Sequence, residues 1–347
     1  MKIKTILTIA LTTALLSSCS ESTEKVTAAG ATFPLPFYNL AIKHYNQIGT
    51  AGVTYGGIGS GGGIRSLRDK VVNIAGSDAF LSQKEMETMT GEVLHVPTCM
   101  GAVVMAYNVE GVKNLNLTSD IIADIYMGAI TMWNDVKIVA INPEVKLPEL
   151  KITPTYRSDG SGTTFVFSDY MTKVNGVWAD ELGTGKALSF KNGVAAKGNP
   201  GVAGVIKQTP GAIGYVGSEY AFALKINTAA VQNPSGEFIK ANGESISAAA
   251  TGEIAADTRM MITASEAKGA YPISCFTWMI IYKEQAITSE TENSANETVK
   301  FLKWMLSPST QEMTTTVHYS PLPLKAVAAA NKIIDTATFN GKPITTK

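Results

Sequence analysis

The sequence predicts an α/β protein of two units, with a mostly parallel sheet and a ligand cleft between the units. Three observations carry this expectation. Short β-rich apolar runs alternate with helix-period stretches along most of the 347 residues, which is the pattern of βα units. Two longer apolar runs, residues 95–107 and 271–282, share one character, so that one can carry the chain from the first unit to the second and the other can carry it back. Such a two-strand hinge leaves a cleft that closure can bury. Three loops rich in Gly, Ser and Thr run straight into helix patterns, where a chain presents unpartnered N–H groups and the positive end of a helix dipole.

In chain order, residues 1–18 stand apart. Lys2 and Lys4 precede an apolar run over residues 6–16, the layout of a secretory signal and short for a membrane span. Leu16-Ser-Ser-Cys19 is similar to the bacterial lipobox, which implies cleavage before Cys19 and lipidation of its thiol by a fatty acid such as palmitate. Residues 19–25 then read as a tether, and the mature protein as one working outside the cytoplasmic membrane. Residues 26–33 and 53–58 read as strands around a helix with apolar positions at Phe37, Leu40, Ala41 and Tyr45. A helix over 64–70, a strand at 73–75 and a polar helix near 83–89 lead to the first long run. Beyond it come a helix over 118–126, a strand over 148–156, helices over 164–174 and 202–208, and a strand over 212–216. Residues 245–257 are alanine-rich and read as surface helix; after the second long run come a helix over 294–306 and a Pro-containing tail. The expected division is domain I over 26–105 and 275–347 and domain II over 106–274.

Lys and Arg total 29, as do Asp and Glu, so no bulk field recruits nucleic acid, and an anion must be caught by local geometry. Loss of residues 1–18 removes two lysines and no acid, leaving the mature chain slightly acidic. With Cys19 acylated, Cys99 and Cys275 remain; an oxidising compartment would permit their pairing, but the apolar runs around them favour two buried thiols.

The three helix mouths carry the candidate chemistry. In Ala29-Gly-Ala-Thr-Phe-Pro-Leu-Pro36, Thr32 can cap, Pro34 suits the first turn, and the Phe33 N–H faces the opening. In Gly57-Ile-Gly-Ser-Gly-Gly-Gly63, Ser60 can cap and bare backbone lets a ligand approach. In Arg157-Ser-Asp-Gly-Ser-Gly-Thr-Thr164, Ser161 or Thr163 can cap, and Arg157 can add a bidentate fork. Taken alone, this last segment fits an ordinary capped loop as well as an anion cradle. Asp78 is the one acid placed in the site: phosphate near neutral pH carries an O–H and sulfate none, so an acceptor-only carboxylate favours the first. Arg157 can pair with Asp78 and hold it ionised, and Asp159 can brace Arg157 from behind. Gly57, Gly59 and Gly62 also match the dinucleotide-binding spacing, but the preceding strand is short and polar and an exported protein has little access to nicotinamide cofactors. There is no Gly-x-Ser-x-Gly elbow and no His-Glu-x-x-His, and His44, His95 and His318 are scattered.

At these residues the chain resembles the phosphate-binding proteins (PstS) of high-affinity bacterial phosphate ABC transporters. The three mouths carry the resemblance, together with Ala75-Gly-Ser-Asp-Ala-Phe-Leu-Ser82 and Lys197-Gly-Asn-Pro-Gly-Val-Ala203; weaker echoes are Asp124-Ile-Tyr-Met-Gly128, Pro210-Gly-Ala-Ile-Gly-Tyr215 and Tyr271-Pro-Ile273. Ala28 stands where a glycine is commoner and Gly61 where a second serine is common. The resemblance implies two α/β domains in a periplasmic-binding-protein (type II-like) fold, with a two-strand hinge and a ligand cleft between the domains. It implies a phosphate site made by Thr32, Phe33, Ser60, Asp78, Arg157, Ser161, Gly162 and Thr163, with Asp159 behind. It also implies a monomeric lipoprotein that delivers inorganic phosphate to an ABC permease, with no catalytic residue, no metal and no cofactor. The rival readings are a same-fold binder of another tetrahedral oxyanion, a phosphate sensor or adhesin, and an exported phosphatase, for which no nucleophile is visible.

Overall fold

The structure, a computed structural model, describes residues 25–48 and 51–345; the signal segment, Cys19 and all but the last residue of the tether lie outside them. The first lobe grows from the strand Lys25–Gly30, which has parallel neighbours in Gly52–Gly57 and Ile74–Ser77. Between the first two lies the helix Leu35–Ile48, whose Phe37, Tyr38, Ala41, Ile42 and Tyr45 recur at helical spacing and are buried as one face. The helix Ser60–Arg68 follows and buries Ile64 and Leu67.

The strand Val93–Tyr107 joins the lobes. Its first ten residues pair with Ser274–Tyr282 and its last five with Ala212–Gly217, both antiparallel. Fifteen residues at about 3.3 Å each make a rod of roughly 50 Å, buried on both faces. In the second lobe Thr153–Arg157 lies parallel to Ala212–Gly217 and to Val194–Ala196. The helices Gly162–Val174 and Gly198–Gln208 pack beside these strands.

Three expectations change. The joined sheet is mixed rather than mostly parallel, because the strands nearest the lobe junction run against their neighbours. The alanine-rich stretch is helical only over Gly243–Ala248, capped by Asn242 and Ser245, and Gly252 ends any continuation. The Pro-containing tail holds two helices, Pro308–Thr316 and Leu324–Ile334, which pack on the first lobe. The Ser307-Pro308 pair was a legible start signal, a cap followed by proline at the first helical position. Cys99 and Cys275 are buried and free, two residues out of register on adjacent strands.

Candidate functional site

The lobes meet where the strands of both end and their helices begin, and there the sequence-chosen residues come together. Thr32 and Phe33 follow Lys25–Gly30 and are buried. Thr32 does not cap its helix: its Oγ1 accepts from the Asn199 N–H (3.0 Å) and the Asn199 Nδ2 (3.2 Å) of the other lobe. Tyr220 and Tyr319 donate to the carbonyls of Thr32 and Phe33, fixing the backbone of this mouth.

At the second mouth Gly59, at φ +82°, occupies the cap position, a left-handed backbone that glycine adopts without strain. Ser60 is therefore the first helical residue rather than the cap. Its hydroxyl accepts from the Gly162 N–H across the cleft (3.0 Å) and stands 3.4 Å from the Asp78 N–H. At the third mouth Ser161 is the cap, accepting from the Thr164 N–H (3.0 Å), and Thr163 lies inside the first turn.

Arg157 ends its strand with a side chain only 1% exposed. Its fork grips Asp159, Nε to Oδ1 at 2.8 Å and Nη2 to Oδ2 at 2.6 Å, while Nη1 donates to Thr163 Oγ1 (3.3 Å). Asp159 also accepts from the Gly198 N–H (2.9 Å). Burial pushes the Asp159 carboxyl up, but the hydrogen bonds and charge of Arg157 and the backbone donors outweigh it and hold the group below its usual range. Asp159 thus braces the guanidinium as expected, leaving Nη1 the arm that faces Thr163.

Asp78 corrects the expectation that Arg157 keeps it ionised. It is wholly buried, and burial pushes its pKa up to about 7; the Thr277 hydroxyl, the Arg157 charge and the Thr163 hydroxyl pull it down without winning. The cation's fork is spent on Asp159, so Asp78 feels the charge at a distance. Thr277 Oγ1 lies 2.9 Å from Asp78 Oδ1. It was missed in the sequence, although a lone threonine at the centre of an otherwise apolar run is a visible signal. The strand register slips between Thr277 and Trp278, a bulge of the kind that re-aims a side chain. Glu219, wholly buried nearby, is pushed well above its ordinary range by burial and held toward its neutral form.

Closure is tight. The Gly61 N–H donates to the Gly160 carbonyl (2.9 Å), and Lys186 Nζ bridges both oxygens of Glu85 at 2.7 and 2.6 Å. A Cβ on Gly162 would stand 2.6 Å from Ser60 Oγ and 2.7 Å from the Asp78 backbone nitrogen, so only glycine fits. The site therefore gathers a buried guanidinium, several hydroxyls and N–H groups, the buried Asp78 carboxyl, and Asp159 gripping the guanidinium. Beside it a cavity of about 200 Å³ opens between Thr32, Gly57, Asp159 and Gly198. Among the described residues no cluster of His, Cys, Asp and Glu is arranged to hold a metal ion, and no helix is long and apolar enough to cross a membrane.

Known proteins resemble this chain in sequence and fold. The family model described as PBP superfamily domain matches residues 17–309. A phosphate-binding protein PstS of Xylella fastidiosa is 36% identical over 306 residues, covering 86% of this chain and 82% of the relative. One from Methanocaldococcus jannaschii is 33% identical, with 82% and 79% covered. A solved phosphate-binding protein from Stenotrophomonas maltophilia superposes with a TM-score of 0.67 at 18% identity, covering 89% of this chain and 93% of that one; this likeness speaks to the fold. The chain has the periplasmic-binding-protein fold and belongs to the PstS family of phosphate-binding proteins.

Proposed function

We propose that this chain captures inorganic phosphate outside the cytoplasmic membrane and hands it to an ABC permease, anchored by a lipid on Cys19. Thr32, Phe33 N–H, Ser60, Asp78, Arg157, Ser161, Gly162 N–H and Thr163 form the phosphate shell, with Asp159 orienting Arg157. The observation that carries this reading is the pairing of one buried guanidinium and converging hydroxyls with the buried Asp78 carboxyl, which can accept. That set suits a tetrahedral anion that still bears a proton. About ten charge-assisted hydrogen bonds, each worth roughly 1.5–3 kcal/mol before ordering costs, outweigh phosphate dehydration when the donors are preorganised, and the tyrosine and Asp159 contacts supply that order. Calorimetry with phosphate and sulfate at pH 8 is the test: tight phosphate binding with no sulfate heat is expected, and equal binding of both anions would end the assignment. Detergent partitioning of the exported wild type and Cys19→Ser tests the anchor.

Two further outcomes follow from closure. Gly162→Ala places a methyl inside the Ser60–Asp78 contact and is expected to weaken phosphate binding at least about tenfold, or about 1.4 kcal/mol, by calorimetry. Lys186→Ala removes a partly exposed bridge between the lobes. Phosphate should leave about two- to fivefold faster in stopped-flow, with the difference shrinking as salt rises.

A further inference from the structure

Asn199 makes four hydrogen bonds that together fix the direction of two hydroxyl protons. It is fully buried at the start of the helix Gly198–Gln208. Its Oδ1 accepts from the Gly217 N–H (2.9 Å), a group that can only donate, so the amide cannot be flipped and its Nδ2 must face the threonines. Nδ2 then lies 3.2 Å from Thr32 Oγ1 and 3.0 Å from Thr163 Oγ1, one in each lobe. The Asn199 N–H adds a second donor to Thr32 (3.0 Å), and Arg157 Nη1 adds a second donor to Thr163 (3.3 Å).

A hydroxyl has two lone pairs and one proton. With both lone pairs occupied, neither threonine can accept from a ligand, and each can only donate. The Thr163 hydroxyl also favours the charged form of Asp78, the direction that a proton donated to that carboxyl gives. The Thr32 proton, its oxygen saturated by Asn199, is free for an acceptor in the cleft.

We propose that Asn199 is a positioning residue for phosphate recognition: it saturates the Thr32 and Thr163 oxygens as acceptors, so that both hydroxyls meet the anion as donors and the phosphate O–H is left Asp78 as its acceptor. This rests on the phosphate reading above. It explains how a site built largely of hydroxyls, which would otherwise accept as readily as donate, presents a single proton acceptor. Because the contact to Thr32 spans the lobes, the same amide couples hydroxyl orientation to closure.

The test is calorimetry and stopped-flow with inorganic phosphate on full-length wild type, Asn199→Ala, Thr32→Val, Thr163→Val, the Thr32→Val/Thr163→Val pair and that pair combined with Asn199→Ala, each first shown to melt cooperatively. In the wild-type background Asn199→Ala is expected to weaken phosphate about 10- to 50-fold, chiefly through faster release. In the doubly valine background, where no hydroxyl remains to orient, the same substitution should cost less than about threefold. Equal losses in both backgrounds would make Asn199 merely structural and overturn the proposal, as would no loss in either. Asn199→Asp guards against misfolding: it keeps the acceptor for Gly217 and the packing but replaces the donor, and should lose more phosphate affinity than Asn199→Ala at an unchanged melting temperature. Retained affinity in Asn199→Asp would overturn the proposal. A wild type that gives no phosphate heat refutes the functional reading itself, an outcome separate from any pattern among the variants.

Discussion

Replacing Arg157 with alanine is expected to weaken phosphate binding at least about 1,000-fold, or about 4 kcal/mol. The size follows from what the guanidinium touches. Its side chain is essentially unexposed, and its fork holds Asp159, which in turn receives the Gly198 N–H. Without Arg157 the shell keeps Asp159, Asp78 and its neutral hydroxyl and N–H donors but no buried cation to offset the charge of an incoming phosphate dianion. Cutting one partner from a buried pair also strands the other, so the loss exceeds that of a single hydrogen bond. Arg157→Lys keeps a charge but not the planar fork, and should recover only part of the loss. Calorimetry on both variants at pH 8 decides the matter. Arg157→Ala within about tenfold of wild type would remove the guanidinium from the phosphate shell.

What could be read from the sequence, and what could not, divides along physical lines. The helix mouths were legible because a cap, a glycine and an apolar period are local: Ser161, one of the two caps offered by the third mouth, is the one that caps, and the buried stripe of Leu35–Ile48 follows from Phe37, Ala41 and Tyr45. The Arg157–Asp159 brace joins residues two apart and was legible for the same reason. Partners distant in sequence were not. Asn199 reaches Thr32 over 167 positions and Thr277 reaches Asp78 over 199, and although Thr277 stands out in its run, no local spacing names the partner of either. Ser60 is not a cap because a positive φ at Gly59 starts the helix one residue earlier, at Ser60 itself, and frees the hydroxyl to cross the cleft. The pairing direction at the middle of the sheet escaped for a related reason: period and composition place a strand in a core, but its direction depends on where the chain has been.

Asp78→Asn should bring sulfate into the site and alter how stability depends on pH. The Asp78 carboxyl titrates near 7 in the folded, unliganded protein against an ordinary value of 3.8, so between those limits the folded protein keeps a proton that the unfolded chain has released. Stability from this group is complete below the unfolded value and is lost as pH rises through the folded one, by about 4 kcal/mol in all. Asn carries no such titration. The variant should therefore melt above the wild type at pH 8 when both are unliganded, and the gap should close toward pH 5. Ligand choice follows the same proton. At pH 8 ionised Asp78 accepts the phosphate O–H and repels sulfate, whereas toward pH 5 the protonated carboxyl can donate to sulfate. Wild type should then reject sulfate at pH 8 and admit it weakly at pH 5, while the asparagine, able to donate at any pH, should admit it at both. The phosphate-to-sulfate affinity ratio at pH 8 should fall at least about 100-fold, close to 3 kcal/mol, with phosphate affinity itself within about tenfold because a like charge leaves the site together with the acceptor. Calorimetry with both anions at the two pH values, beside melting curves of the unliganded proteins, checks each half. An unchanged ratio in Asp78→Asn would show that sulfate is excluded by something other than this carboxyl, and parallel melting curves would show that burial does not hold its proton.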